Sequence, residues 1–270
     1  MLVNPQQWIQ RAQQKKVAIG AFNAYNLETA RAIIQAAENL NSPVIVETTP
    51  KAIEYGGLKY LSTLVKQMAE DASVPVALHL DHGLTLELLA ECIAAGYTSL
   101  MIDGSHLPLE ENIILVKKAV EMAKRYNIPV EGELGTLSVH YQYTNPDEVR
   151  EFVKRTGVFS LAVSIGSSHG HAPKEELNID LLKEIRQKTD IPLVLHGASG
   201  VSDEDIKKAI SQGICKINVD TQLREVFTQA IREAVKDSGY IEPRYYLQKA
   251  TLAIQKVVEE KILLFGSINV

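Results

Sequence analysis

The chain is short of cysteine, of long apolar runs and of surplus positive charge, and each shortage removes a class of protein. Its two cysteines, Cys92 and Cys215, stand apart and form no CxxC. That argues against a disulfide framework and fits a reducing cytosol. No apolar stretch approaches the ~20 residues needed to span a bilayer. Residues 1–16 are Gln-rich and amphipathic, without the apolar core of a signal peptide. A cytoplasmic location with no membrane partner is therefore expected. Lys and Arg number 28 against 33 Asp and Glu, and the net charge of −5 gives no reason to expect nucleic acid. A phosphorylated substrate stays open, because backbone N–H groups at helix starts can hold phosphate without a basic surface. The dinucleotide fingerprint GxGxxG is missing too: Gly20-Ala21-Phe22-Asn23 stands at the first strand-like run.

What is present is a strict alternation of strand-like and helix-like segments through 270 residues, 46% of them hydrophobic. The strand-like runs are 17–23, 43–47, 75–82, 99–103, 129–134, 160–166, 192–197 and 216–220. They are near-continuously apolar, as strands covered on both faces should be. Between them the helical stripe is plain in places, as at Ile113, Val116, Val120 and Ala123. Pro75, Pro129 and Pro192 stand where helix gives way to strand. Eight βα units predict an α/β fold, a (β/α)8 TIM barrel. A doubly wound open sheet is the alternative, but it would be large at eight parallel strands. Residues 2–14 read as a helix before the barrel and 243–265 as a helical extension after it. With no linker, repeat or low-complexity segment, residues 1–270 are expected to form one domain.

In such a barrel the active site lies at the carboxyl ends of the strands. Those ends carry Asn23, Glu47, Thr49, Asp81, His82, Asp103, Glu131, Glu133, His169, His196, Asn218 and Asp220. Three imidazoles from separate strands, His82, His169 and His196, can converge, and three protein ligands plus an open position is how a catalytic zinc is held. By period-two alternation His79 shares a strand face with Asp81 and opposes His82. The strand must therefore twist or end near Asp81 if Asp81 and His82 are to share a site, and His79 is read as supporting. Glu131 and Glu133 share a face and are either a salt-bridged interior pair or metal-linked. His106 is read as loop-packing or supporting, and His171 as a surface residue. Arg244 can equally be a helix-start ion pair, and Asp220 a helix cap.

These segments together carry a resemblance. Ala21-Phe22-Asn23, His79-Leu80-Asp81-His82-Gly83, Met101-Ile102-Asp103-Gly104-Ser105-His106, Glu110-Glu111-Asn112, Val130-Glu131-Gly132-Glu133-Leu134-Gly135, Leu195-His196-Gly197-Ala198-Ser199-Gly200, Lys216-Ile217-Asn218-Val219-Asp220-Thr221 and Pro243-Arg244-Tyr245-Tyr246-Leu247 follow one another in order. The chain resembles the class II, metal-dependent ketose-bisphosphate aldolases, which act on fructose- or tagatose-1,6-bisphosphate in carbohydrate metabolism and glycolysis. The resemblance implies a lyase with one catalytic Zn2+ on His82, His169 and His196. Asp103 and Glu133 would take second-sphere or alternative metal positions. A second divalent ion or a monovalent cation, Na+ or K+, belongs to the same expectation. It makes Asp81 the general acid/base at the C4 hydroxyl and Asn218 a hydrogen-bond partner of the enediolate. Substrate and phosphate contacts would come from Asn23, Thr49, Gly170, Gly197, Ala198, Ser199, Asn218, Val219, Asp220 and Thr221. Arg244 would reach the far phosphate of a neighbouring subunit's site in a homodimer or homotetramer.

Cleavage between C3 and C4 leaves a carbanion beside a carbonyl. A metal on the C2 oxygen spreads that charge as an enediolate; a lysine Schiff base is the other solution. Residues 160–166 hold no lysine, and Lys216 reads as the opening residue of the last strand, at the wrong end for that role. The metal route is favoured. One segment departs from the family: after Gly135 comes Thr136-Leu137-Ser138-Val139-His140-Tyr141-Gln142-Tyr143-Thr144-Asn145-Pro146, without the usual glycines or acids and with a shorter loop. Either His140 or Tyr141 exchanges the enediolate proton, with His140 the candidate acid, or the substrate differs. Thr48-Thr49-Pro50-Lys51 is also atypical. A lyase for another phosphorylated or sulfonated sugar or sugar acid is the second reading. A non-catalytic barrel that retains its metal is the third.

Overall fold

A computed structural model describes residues 1–136, 142–168, 170, 176–236 and 241–270. Eight parallel strands close into a barrel in chain order: β1 Ile19–Asn23, β2 Val44–Thr48, β3 Val76–Gly83, β4 Ser99–Ile102, β5 Val130–Leu134, β6 Ser160–Val163, β7 Leu193–Leu195 and β8 Ile214–Val219. The ring is completed by β8 beside β1, with Asn218 opposite Ala21. Helices between the strands cover the outside. Outward-facing Phe22, Val46, Leu78, Leu80, Leu100 and Ile102 share one core with helix residues such as Ile33, Val65, Leu89 and Val116. This is the (β/α)8 barrel that the alternation predicts. Among the described residues no helix is long and apolar enough to cross a membrane.

Inside the ring, alternate residues build layers of increasing polarity, as period-two strands require. At the amino-terminal end Ile19, Ala21, Ile45 and Ala77 pack on Trp8, Ile9 and Ala12 of the helix Gln6–Lys15, which plugs the floor. Above them lie Glu47, His79, Glu131 and Lys216, each buried. At the mouth stand Asn23, Asp81, Glu133, His196 and Asn218.

Several boundaries differ from those read in the sequence. The first helix begins at Gln6, because Leu2 instead bridges to Val76 and leads into Pro5. β6 and β7 end early, and the chain turns out of the sheet at Gly166 (φ +127°) and Gly197 (φ +66°). β8 begins at Ile214, so Lys216 lies within the strand and inside the barrel, not at its opening end. Burial is tolerated there because two carboxylates face the ammonium. The final helix, Pro243–Phe265, has the expected limits, with proline in its first turn, where no intrahelical N–H is needed.

Candidate active site

The mouth of the barrel is organised by an irregularity in β3. Its pairing with β4 shifts register between Leu80 and Gly83, and His82 adopts a left-handed backbone with φ +50°. Such a conformation costs a non-glycine residue on the order of 1–3 kcal/mol, and it persists where surrounding structure demands it. Here it reverses the alternation, so that adjacent Asp81 and His82 face the same centre. His82 Nε2 lies 3.7 Å from Asp81 Oδ1. The twist that the residue pattern calls for is thus built into the backbone of His82.

His196, just beyond β7, brings its ring edge-on to His82, and its Nδ1 lies 3.0 Å from His82 Nε2. Each ring is held from behind by a carboxylate. His82 Nδ1 meets Asp103 Oδ2 at 2.8 Å, and His196 Nε2 meets Glu131 Oε1 at 2.8 Å. A carboxylate on the outer nitrogen favours a proton there, so that the inner nitrogen can ligate once it is deprotonated, the arrangement common around protein-bound metals. Asp81, His82 and His196 offer ligand atoms within 4.8 Å of one another, as do His82, Asp103 and Glu133. The donor set therefore suits a borderline cation such as Zn2+. His169, the third expected ligand, lies outside the described residues, as do His140, Tyr141 and His171.

Asp81 is held by two amides: Asn23 Nδ2 donates at 2.9 Å and Asn218 Nδ2 at 3.2 Å. Burial alone would raise its pKa, but His82, His196, Lys216 and the Asn23 hydrogen bond bring it down to about 2, so it is ionised near neutrality. Glu133 behaves oppositely. Burial, then the charge of Asp103, push it well up, and its Oε2 receives no hydrogen bond although His82 Nδ1 is 3.8 Å away. Asn112 Nδ2 donates to the Glu133 carbonyl at 3.0 Å and ties that strand end to the next helix. The two glutamates of β5 thus divide the two sequence readings: Glu131 is salt-bridged inside the barrel, and Glu133 faces the His82 cluster. His79 is buried, with Nδ1 2.7 Å from Ser99 Oγ; burial lowers its pKa to about 3, so it is neutral.

Other expected contacts divide. Gly197 packs so closely that a Cβ would lie 2.3 Å from the Ser168 carbonyl oxygen. Ala198 and Ser199 form a single 3-10 turn with Gly200, and Ser199 Oγ accepts the Gln222 N–H at 3.2 Å. Gly170 is left-handed at φ +99°. Val219 directs its side chain into the core behind the barrel, so only its backbone can face a ligand. Thr221 opens the helix Thr221–Ala234. Asp220 precedes that helix but does not cap it with its side chain; it pairs with Arg224 at 3.0 Å. Thr49 caps the helix Pro50–Gly56, accepting the Ala52 N–H at 3.2 Å. Arg244 is 89% exposed and pairs with Glu242 at 2.7 Å. His106 is exposed, not loop-packed, and lies in the turn after β4. The residue underrated in the sequence is Lys216. Period two places it on the face of Asn218, a signal that was there to use.

A parallel barrel that gathers carboxylates, amides and imidazoles at the carboxyl ends of its strands is an enzyme architecture. The profile of Fructose-bisphosphate aldolase class-II matches residues 3–270. The crystal structure of the YdjI aldolase from Escherichia coli K12 is 40% identical, covers 100% of this chain and 99% of its own, and superposes with a TM-score of 0.93. A Coccidioides immitis protein provisionally described as a fructose-1,6-biphosphate aldolase is 30% identical over 97% of this chain and 96% of its own, TM-score 0.90. Fructose-bisphosphate aldolase from Campylobacter jejuni, at 24% identity over 99% of this chain and 96% of its own, shares the fold with a TM-score of 0.86. The chain belongs to the class-II fructose-bisphosphate aldolase family and is an aldolase, a carbon–carbon lyase.

Proposed function

We propose that the enzyme reversibly cleaves a phosphorylated ketose of the fructose- or tagatose-1,6-bisphosphate type to dihydroxyacetone phosphate and an aldehyde. His82 and His196, with His169, would hold a zinc ion, and Asp103 and Glu133 would support it or offer an alternative position. The observation that carries this reading is the facing pair of ring nitrogens, His82 Nε2 and His196 Nδ1 at 3.0 Å, with ionised Asp81 beside them. When bound, the metal supplies Lewis-acid polarisation of the C2 carbonyl and spreads the charge left by cleavage. Asp81 takes the C4 hydroxyl proton; the C4–O electrons form the aldehyde, and the C3–C4 pair passes to the enediolate. Asn23 and Asn218 orient Asp81, and Asn218 Oδ1, buried without a hydrogen-bond donor, is free to accept one from substrate. Backbone N–H groups of Gly170, Gly197 to Ser199 and Asn218 to Thr221 would cradle the phosphate near the start of the helix Thr221–Ala234. Asn23 would add a substrate contact. Arg244, exposed and away from this mouth's own hydrogen-bond network, would serve a neighbouring copy in a homodimer or homotetramer. A cytoplasmic site of action fits the composition.

Two features favour a second reading, a lyase for a different phosphorylated or sulfonated sugar or sugar acid. After β5, Thr136 pairs antiparallel with Gln142, and Thr49 is engaged as a helix cap. A coupled assay for dihydroxyacetone phosphate across a panel of ketose mono- and bisphosphates separates the readings. Release from a C6 ketose bisphosphate supports the first. Release only from other sugars, or of another three-carbon fragment, supports the second.

A further inference from the structure

The barrel interior carries a charge arrangement that the cleavage chemistry leaves unused. Lys216 is 1% exposed and projects from mid-β8 into the ring. Its Nζ lies 3.1 Å and 3.3 Å from the two oxygens of Glu131 and 2.9 Å from Glu47 Oε1. Lys216 thus bridges two buried carboxylates, with Glu47 the nearer and Glu131 engaged through both oxygens. Ser160 Oγ also donates to Glu131 at 3.3 Å. Through Glu131 Oε1, 2.8 Å from His196 Nε2, this cluster reaches the mouth.

The two imidazoles are supported unequally. Asp103, behind His82, is 14% exposed at its side chain and accepts the Ser105 N–H at 3.0 Å. Glu131, behind His196, is 2% exposed, and among the described residues Lys216 is the lysine or arginine paired with it. A buried carboxylate without its cation is strongly disfavoured and relaxes to another arrangement.

We propose that Lys216 is a positioning residue for the metal. It anchors the Glu131 carboxylate, which holds the proton of His196 on Nε2 and so presents Nδ1 to the centre. Lys216 touches neither substrate nor ion. The inference rests on His196 being a metal ligand, as read above.

The test is zinc affinity of the full-length chain by chelator competition, together with the imidazole N–H signal of His196 in the zinc-loaded protein. Lys216→Met is expected to bind zinc ~10–100-fold more weakly, the range typical when an outer partner of a ligating histidine is lost. It should also show a weakened or rapidly exchanging Nε2–H resonance. Should the single variant fail to fold, Lys216→Met/Glu47→Gln removes one buried charge with the cation, and the same two losses are expected in it. His196→Ala serves as the reference. If His196→Ala loses zinc while either folded lysine variant keeps wild-type affinity and an unchanged Nε2–H signal, Lys216 is merely structural and the inference falls. If His196→Ala itself binds zinc like the wild type, the ligand assignment falls and takes the inference with it.

Discussion

His82 Nε2 and His196 Nδ1 face each other at 3.0 Å, and each ring's other nitrogen rests on a carboxylate. In metal-free protein a proton can bridge the pair. His82 is placed to carry it: burial lowers its pKa, but Asp81, Asp103 and Glu133 outweigh burial and raise it to about 10. Protonated His82 then donates to Asp103 and to His196, and His196 donates to Glu131. The proton stands where the metal is proposed to bind.

Zinc binding to metal-free protein near pH 7.5 should therefore release about one proton from His82. The heat of binding measured in buffers of different ionisation enthalpy gives the number; a value near zero would remove His82 from the titrating pair. The sign for stability follows. The folded pKa is raised above the ordinary 6.5, so the contribution is fully present below pH 6.5 and is lost as pH rises through about 10. The melting temperature of the metal-free protein, relative to His82→Gln, should fall across that window.

Asp81→Asn should retain zinc yet lose ~10²–10⁴-fold in kcat, the usual contribution of a placed general base. Asn23 and Asn218 each donate to a different oxygen of Asp81, so the amide can accept from one of them but sets its N–H₂ against the other, and a modest fall in melting temperature is also expected. Near-normal turnover with the true substrate would move the base to Glu133.

Gly197→Ala should be costly in two ways. Its φ of +66° is strained for alanine, and the new Cβ would meet the Ser168 carbonyl oxygen at 2.3 Å. The expected loss is about 1–3 kcal/mol of stability, with a raised KM because the turn proposed to face phosphate shifts. Thermal melts and steady-state kinetics check both; an unchanged KM would take the 197–199 turn out of the phosphate site.

His140→Ala should slow tritium exchange between solvent and dihydroxyacetone phosphate more than it slows condensation of that substrate with an aldehyde. In the proposed mechanism retro-aldol cleavage uses Asp81 and the metal, whereas exchange uses an acid of suitable pKa over the enediolate. Wild-type exchange in both His140→Ala and Tyr141→Phe would place the proton source elsewhere, and the short segment after Gly135 would then mark a changed substrate.

The barrel was legible because its strands announce themselves twice, as apolar runs and as polar ends. The amino acids at those ends were legible because each sits beside a motif. Geometry that depends on backbone departures was only partly so. The need for a twist at Asp81 follows from alternation, but the left-handed His82 and the register shift that supply it do not. Lys216 was misread because a charged residue resembles a strand's solvent end, whereas two acids from other strands neutralise it inside. Thr49 and His106 sit in strand-end segments, yet one is taken by a helix N-terminus and the other turns to solvent; neither outcome leaves a periodic trace.

The helix Gln6–Lys15 is pressed against Ile19, Ala21, Ile45 and Ala77 at the end of the barrel opposite its polar mouth. Between the two ends the ring is filled by the buried side chains of Glu47, His79, Glu131 and Lys216, so the barrel is a packed core and not a pore. The molecule thus divides its labour along one axis: the floor is built for cohesion, and a substitution at Trp8 is expected to register in the melting temperature while the mouth is left as it was.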